Sequence, residues 1–590
     1  MDGHTAWIQV GPSTWYEFAE LVGIVEAVKL SEVMPALRRI EDAAARGVYA
    51  AGFVSYGAAP AFDSALTVES SAELPLLWFG LYRMCRQHAY PPFGSSASAG
   101  DEPSYHLGKW RTGCDRGCYE QAIRAIRDYI RAGDTYQVNY TFQQYAHFDG
   151  DPRMFFRNLC RSQREAYSAY LDLGSFVVCS ASPELFFHRK GNRIISRPMK
   201  GTAPRGVDLA SDQRLRRQLE ESEKDRAENV MIVDMIRNDL GRIAEPGTVS
   251  VSDMLAIERY RTVYQMTTTV SAETEESLEG IFGALFPCAS ITGAPKKRAM
   301  EIIRELEPGA RGLYTGAIGC IMPDGEAQFN VAIRSPIINR RKHEISYGVG
   351  GGIVWDSDAA KEFEECRTKT RVLKPPRSPL TLFETILWRP EAGYYLLGYH
   401  LSRMEASAAY FGILFDSEEA DEYLQSLNVS NDALRDPFVV KFLVDEEGGF
   451  SCETRSLPVG GNGGTSVIAI AENSVSSDDW RLYHKTNHRG VYDKARERYP
   501  TYDDVLLQNE RGEITESTIA NVVIERKKGG PFVTPPVRSG VLAGTKRAEL
   551  LDAGRIVEGV LHKSDLRQAH RIYLINSVRE WTPVHCCFDA

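Results

Sequence analysis

At 590 residues the chain carries more material than one hydrophobic core can hold, roughly three or four domains' worth by length. Its composition, 43% apolar and 25% charged, is that of a folded protein in water, and 69 basic against 79 acidic side chains leave a charge of −10. That balance speaks against nucleic acid or an anionic lipid surface as the main partner.

No eighteen-residue apolar run and no basic-then-apolar start is present, so no membrane helix and no targeting segment are expected. The 11 cysteines are scattered without a CxxC pair, which fits a reduced, cytoplasmic protein with structural thiols.

Up to about residue 110, short strand-like runs such as 50–56 mix with helical ones such as 31–47, and 91–100 is a loop by its Pro, Gly and Ser content. Residues 119–131 set Ile123, Ile126 and Ile130 on one face between charges, an amphipathic helix that Gly133 ends. Residues 134–141 alternate as a strand, 169–179 read as another and 192–196 as a third. Residues 213–226 form a charged helix running on through 227–241. Ser290 to Lys296 open a helix, 328–334 is a strand, and a Gly350-Gly351-Gly352 turn comes shortly before Glu362. Lys374-Pro375-Pro376-Arg377-Ser378-Pro379 is a linker whose prolines stop a helix and stiffen the spacer. Beyond it 380–387, 437–444 and 466–471 read as strands, 400–411 as a helix, and a strand follows Asn521.

Lys200 lies between a Pro198-Met199 step and a Gly201-Thr202 step at the end of the short strand. The glycine lets a ligand approach, although a solvated surface lysine has the same local sequence. Two helical stretches carry acids three apart, Asp225 with Glu228 and Glu362 with Glu365, so each pair shares a face; Lys369 lies four after Glu365 on the same stripe. Singly such pairs are solvated faces. Together, near a cation, they are the hard-oxygen set that Mg2+ takes, with a substrate carboxylate completing its shell. Thr292 at a helix start, the glycine turn and Arg334 at a strand end are each suited to hold an anion.

These stretches resemble the chorismate-binding enzymes. They are Gly133-Asp134-Thr135-Tyr136-Gln137-Val138-Asn139, Ser182-Pro183-Glu184, Glu228 with 234–241, Thr292-Gly293-Ala294-Pro295-Lys296, and Gly350-Gly351-Gly352 with Glu362 and Glu365. The resemblance covers about 115–374, with 1–110 as the N-terminal portion of the same enzyme type. It implies Mg2+ on Glu228 and Glu365, with Asp225 and Glu362 assisting. It implies Arg334 and Tyr314 on the enolpyruvyl carboxylate, and Thr292, Gly351 and Lys369 completing the pocket. Within the family the Pro-Met-Lys-Gly-Thr stretch resembles the aminodeoxychorismate synthases. Their lysine, here Lys200, attacks C2 of chorismate while the C4 hydroxyl leaves, and the acid/base is the counterpart of Glu184. Gln265 stands where the family often has a histidine linked to pyruvate loss. No Gly-x-Cys-x-Gly elbow is present, so ammonia comes free or from a separate glutamine amidotransferase.

After the linker at 375–379, residues 380–590 resemble class IV aminotransferase-fold proteins, on Phe383-Glu384-Thr385, His400 to Met404, His484-Lys485-Thr486-Asn487, Thr515-Glu516-Ser517 with Asn521, and 539–547. The resemblance implies pyridoxal phosphate on Lys485, Glu516 at its pyridine nitrogen, and Arg403 with Gly544 and Thr545 at its phosphate. The family's first strand is missing, so a trimmed small subdomain is expected, and a homodimer through this half is the oligomer the resemblance allows. The fold expected is thus α/β with α+β character: a β-sandwich core with surrounding helices, then a two-subdomain class IV fold. The function implied is bifunctional. Chorismate becomes 4-amino-4-deoxychorismate and then, by pyruvate elimination, 4-aminobenzoate for folate biosynthesis. The alternative is an anthranilate or salicylate synthase fused to a branched-chain or D-amino-acid aminotransferase.

Overall fold

A computed structural model describes residues 4–69, 71, 73–89, 93, 105–163, 167–260, 263–373, 379–429, 436–457 and 465–588. The expected linker, apart from Pro379, and the 91–100 loop, apart from Phe93, lie outside the described residues. The chain divides into two units, Met1–Pro204 with Arg216–Pro376, and Arg205–Leu215 with Arg377–Ala590. Among the described residues no helix is long and apolar enough to cross a membrane.

In the first unit nineteen strands join one hydrogen-bonded network. Thr14–Ala27 pairs with Leu77–His88, and the ladder runs on through Tyr49–Val54, Ala317–Ile321, Ala327–Val331, Leu185–Lys190, Arg193–Arg197 and Val263–Glu273. In the other direction Ala6–Gly11 leads through Tyr167–Asp172, Phe176–Ser182, Ile337–Asn339 and Glu344–Ile353 to the long strand Gln137–Gly150. Side chains from both stretches meet in one cluster around Phe18, Phe53, Trp78, Leu171, Val178 and Ile318, the filling of a two-layer sandwich. Strand alternation turns neighbours such as Val54 to the opposite face, where they pack with Val33 and Leu37 of Leu30–Ala45 and Ile232 and Ile236 of Glu223–Gly241. The other layer is covered by Tyr119, Ile123 and Ile126 of Arg116–Ala132 and by Ile302. Burying each large apolar side chain contributes about 1.5–3 kcal/mol. The Arg116–Ala132 helix is also fixed at its ends. Asp115 accepts from the Cys118 N–H, and Gly133 closes it at φ 81°.

Several local expectations change. The run 169–179 is a hairpin of two strands turning at Gly174, whose φ is 81°. The charged helix is broken in two, Leu209–Glu221 and Glu223–Gly241, because the Ser222 side chain accepts from the Asp225 N–H and starts a new helix. Gly350, Gly351 and Gly352 form no turn; they lie inside Glu344–Ile353, paired to Thr141, Tyr140 and Asn139. Thr292 does not open a helix. It follows a single 3-10 turn, its hydroxyl is spent on Cys288 and Ala289 carbonyls, and the helix starts at Lys296. Arg334 lies beyond the strand, which ends at Val331, and is held at φ 51°.

The second unit holds an antiparallel sheet ordered Gly393–Tyr394, Leu382–Arg389, Phe438–Val444, Phe450–Ser456, and a separate eight-stranded mixed sheet. Helices Leu397–Phe411 and Ser417–Val429 supply Leu401, Met404, Ala408, Ala420 and Leu424 to the core of the small sheet. The small subdomain is therefore compact but complete enough to carry its own core.

Candidate active sites

Lys200 lies in the strand Met199–Pro204, not in a turn. Its Nζ is 3.2 Å from Glu228 Oε2, and both side chains are 17% exposed. A Cβ placed on Gly352 would lie 2.7 Å from Lys200 Nζ and 3.0 Å from Gln137 Nε2, so the bare glycine backbone admits both groups. Gln137 is fully buried, and neither of its amide atoms has a partner. Such an amide costs about 1–3 kcal/mol unless something bonds it.

Glu184 is buried just before the strand Leu185–Lys190, with Oε1 unpartnered. Burial lifts its carboxyl to about 7, against the pull of bonds from Ser290 and the Met199 N–H and of the Lys200 charge. Lys369 Nζ pairs with Glu365 at 2.9 Å and donates to Gly350 O at 2.8 Å. Its charge holds Glu365 below the ordinary carboxylate value, whereas burial and then the Glu365 charge raise Glu362. A Cβ on Gly351 would sit 3.5 Å from Glu362 and 3.7 Å from Lys369 Nζ. Asp225 accepts from Ser222 Oγ at 2.5 Å.

Arg334 is desolvated, which lowers its pKa, and it donates to Gln163; Tyr314 and Tyr347 act on it electrostatically. Tyr314 is buried against Gly348, and burial raises its hydroxyl pKa. Gln265 on the neighbouring strand donates to Thr202 Oγ1 at 3.0 Å. Among the described residues no three His, Cys, Asp or Glu side chains stand close enough to grip a metal by themselves. Glu228 is held by the Lys200 ammonium, and Glu362 has Glu365 as an acidic neighbour. The structure brings Glu184, Glu228, Glu362 and Glu365 within electrostatic reach of Lys200. It leaves Thr292 with its hydroxyl turned to its own backbone.

In the second unit Lys485 lies in the segment bonded to Leu382–Arg389, with the Phe383 N–H donating to its carbonyl at 3.0 Å. Its Nζ lies 4.9 Å from the Phe383 ring centre. Burial, with Arg403 nearby, brings its amine down to about 8. Glu516 in Ile514–Ser517 is buried, and burial lifts it to about 7. It accepts from Tyr492 Oη at 2.7 Å and from Asn521 Nδ2 at 2.9 Å. Arg403 is clamped on Glu384 through Nε at 2.8 Å, and His400 Nδ1 lies 2.7 Å from the same carboxylate. Burial alone would raise Glu384; Arg403 and His400 more than reverse it. Gly544 caps the helix Thr545–Asp552, whose Thr545 is buried. A lysine amine, a buried carboxyl 31 positions later in chain order, an arginine and a helix N-terminus are the groups pyridoxal phosphate requires, so the residues fit that cofactor.

Sequence reasoning missed Gln137, Ser290, Glu384, His400 and Tyr492 as working parts of these sites. All but Ser290 and Tyr492 stood inside the motif stretches, and their chemistry was the available signal.

The profile of the chorismate binding enzyme family matches residues 14–375, and that of amino-transferase class IV matches 381–587. The chain is 39% identical over 269 residues to aminodeoxychorismate synthase component 1 of Salmonella typhimurium, covering 45% of this chain and 59% of that one. It is 38% identical over 300 residues to an anthranilate synthase component 1 of Haloarcula marismortui, covering 50% and 61%. The chain thus spans about three fifths of the length of these curated relatives. The crystal structure of anthranilate synthase component I from Streptococcus pneumoniae superposes with a TM-score of 0.54 at 23% identity, over 61% of this chain and 92% of that one, which is a likeness of fold. With the family profile spanning more than half of its length, the chain belongs to the chorismate binding enzymes, and a class IV amino-transferase segment follows in the same polypeptide.

Proposed function

We propose that the chain makes 4-aminobenzoate from chorismate in two steps, the first at Lys200 and the second at Lys485. The observation that carries this reading is Lys200 itself, an amine held 3.2 Å from Glu228 beside the open backbone of Gly352 and the unpaired amide of Gln137.

In the first step the Lys200 amine, released from Glu228, bonds to C2 of chorismate. The double bond shifts and the C4 hydroxyl leaves as water with a proton from Glu184. A carboxyl lifted to about 7 is part-protonated near neutral pH, as a general acid must be. Ammonia then bonds to C4, the double bond shifts back, and the Lys200 amine leaves. The product is 4-amino-4-deoxychorismate. Glu228 and Glu365, with Glu362 and Asp225, would hold Mg2+, which supplies positive charge for the ring carboxylate. Arg334 and Tyr314 face the enolpyruvyl carboxylate; Arg334 is a half-buried, desolvated cation that donates to the neutral Gln163. Gly351 and Lys369 close the ring-carboxylate side and Thr292 supplies backbone at its edge.

In the second step pyridoxal phosphate, when bound, supplies an electron sink for the amine's carbon. Lys485 takes the C4 proton, Glu516 holds a proton toward the pyridine nitrogen, and Arg403 with Gly544 and Thr545 bind phosphate. The C3–O bond breaks, the enolpyruvate that leaves takes up the proton Lys485 removed and becomes pyruvate, and the ring becomes aromatic. A glutamine-hydrolysing partner would supply ammonia. A cytoplasmic homodimer through the second half completes the reading. The anthranilate synthases among the relatives carry the second reading, with 2-aminobenzoate as product. Product identification decides. Purified chain with chorismate, ammonia, Mg2+ and pyridoxal phosphate is expected to yield 4-aminobenzoate and pyruvate; 2-aminobenzoate or salicylate would overturn the proposal.

A further inference from the structure

Residues 205–215 lie inside the stretch matched by the chorismate binding profile, 14–375, yet they fold as part of the second unit. They reach it directly from the strand Met199–Pro204 that carries Lys200. The first residues of this segment are tightly shaped. Arg205 forks onto Asp212, Nε to Oδ1 and Nη2 to Oδ2 at 2.7 Å each, with the two side chains 7% and 2% exposed. The Gly206 N–H bonds Asp212 Oδ1 at 2.9 Å, and a Cβ on Gly206 would strike the Asp212 backbone nitrogen at 2.2 Å, so only glycine fits.

This loop grips one tyrosine. Arg205 Nη2 donates to Tyr410 O at 2.6 Å, its guanidinium lies 4.6 Å over the Tyr410 ring, and Tyr410 Oη donates to Gly206 O at 2.7 Å. The Tyr410 ring is in turn stacked on His484, 4.3 Å between centres. His484 precedes Lys485. Its Nε2 lies 3.1 Å from Val207 O, an acceptor only, so Nε2 carries the proton and Nδ1 accepts from Ser407 Oγ at 3.0 Å. Val207 packs beside Leu482 and Tyr483. The residues just before the lysine are therefore held through Gly206, Val207 and Tyr410.

We propose that residues 205–212 are the back wall of the pyridoxal phosphate site, and that Tyr410 and His484 are positioning residues through which this wall fixes Lys485. A lysine that must meet a cofactor carbon has a flexible four-carbon stem, so the placement of its backbone decides how often the amine is in reach. The wall fixes that backbone on the His484 side, as the bond from Phe383 fixes it on the other. A consequence is that residues 380–590 alone lack a part of their own lysine site.

The inference rests on the reading of Lys485 as the cofactor lysine, and the experiment separates the two. The full chain loaded with pyridoxal phosphate is titrated by visible absorbance for cofactor affinity and for the pH midpoint of the bound cofactor's band. Wild type is compared with Tyr410→Phe, which keeps the ring and loses the bond to Gly206, with His484→Gln, and with Ser407→Ala. Thermal unfolding of each cofactor-free protein is measured alongside. Loss of one such bond is worth about 1 kcal/mol, or roughly five-fold in cofactor affinity. The expected result is a loss of that order and a displaced pH midpoint in Tyr410→Phe and His484→Gln, with the cofactor-free unfolding temperature of Tyr410→Phe near wild type. A wild-type band whose affinity and midpoint are unmoved in both variants overturns the positioning role alone. A wild-type chain that binds no cofactor, or a band that survives in Lys485→Ala, overturns the reading beneath it as well.

Discussion

Replacing Glu184 with glutamine is expected to make the protein more stable at pH 8 while slowing the first reaction. The carboxyl is buried and lifted to about 7 from an ordinary 4.5, chiefly by burial. Between those values the folded chain holds a proton that the unfolded chain releases, so stability falls as pH rises through this window. At roughly 1.4 kcal/mol per pH unit, full ionisation costs the fold about 3 kcal/mol. A glutamine at this position carries no charge to desolvate, and its amide would occupy the place of the already unpartnered Oε1, adding no new unsatisfied atom. Thermal unfolding of E184Q and wild type is compared at pH 5 and pH 8, without substrate. The two proteins should nearly coincide at pH 5, where Glu184 is neutral in the fold. At pH 8 the variant should melt roughly 3–6 °C higher, since about 1 kcal/mol moves a domain of this size by a degree or two. Glu516 shares the same window, but it is common to both proteins and cancels in the difference. Chorismate consumption should fall about 10²- to 10⁴-fold, the range for a lost general acid. A difference in melting that is the same at both pH values, or that favours wild type at pH 8, would refute the argument that burial holds this carboxyl protonated.

Lys200→Ala should abolish formation of 4-amino-4-deoxychorismate while chorismate binding persists, measured by product chromatography and by calorimetry; unchanged turnover removes Lys200 from the chemistry. Lys485→Ala should lose the visible band of the bound cofactor and all 4-aminobenzoate, with 4-amino-4-deoxychorismate accumulating instead. Arg334→Ala should raise the KM for chorismate by a factor of about 10 to 100, the worth of one charge-assisted pair at about 1.5–3 kcal/mol; steady-state kinetics reads it, and an unchanged KM would place the enolpyruvyl carboxylate elsewhere.

The residues of both candidate sites could be singled out in the sequence because they are telling residue types at helical or motif spacing. Glu362, Glu365 and Lys369 fall on one stripe of Ala359–Lys369, as the three- and four-residue intervals require. What was illegible depended on partners distant in sequence. Gly350, Gly351 and Gly352 read as a turn because glycine permits one. They are a strand because Thr141, Tyr140 and Asn139 offer a ladder, and the missing side chain of Gly352 is what lets Lys200 and Gln137 approach. The break at Ser222 hid in an acidic run without Gly or Pro, where only the serine's cap to Asp225 marks a new start. Gln137 was inside a recognised motif, but an amide becomes informative only when packing has removed every partner from it.

The two candidate sites differ in the charges that stand around their lysines. Around Lys200 stand Glu184, Glu228, Glu362 and Glu365, with Lys369 a further cation paired to Glu365. On the proposed function, a substrate with two carboxylates would need added positive charge to offset these acids, which the proposed Mg2+ and the desolvated Arg334 would supply. Around Lys485 both signs are present, Arg403 and Arg489 with Glu384 and Glu516. Arg403 and Arg489 raise the local potential and, after burial itself, the Arg403 charge helps bring the lysine to about 8. The buried Glu516 of that site is lifted by burial to about 7. Lys200 is ion-paired to Glu228 with further acids nearby, while Lys485 is brought down by burial first and then by the Arg403 charge.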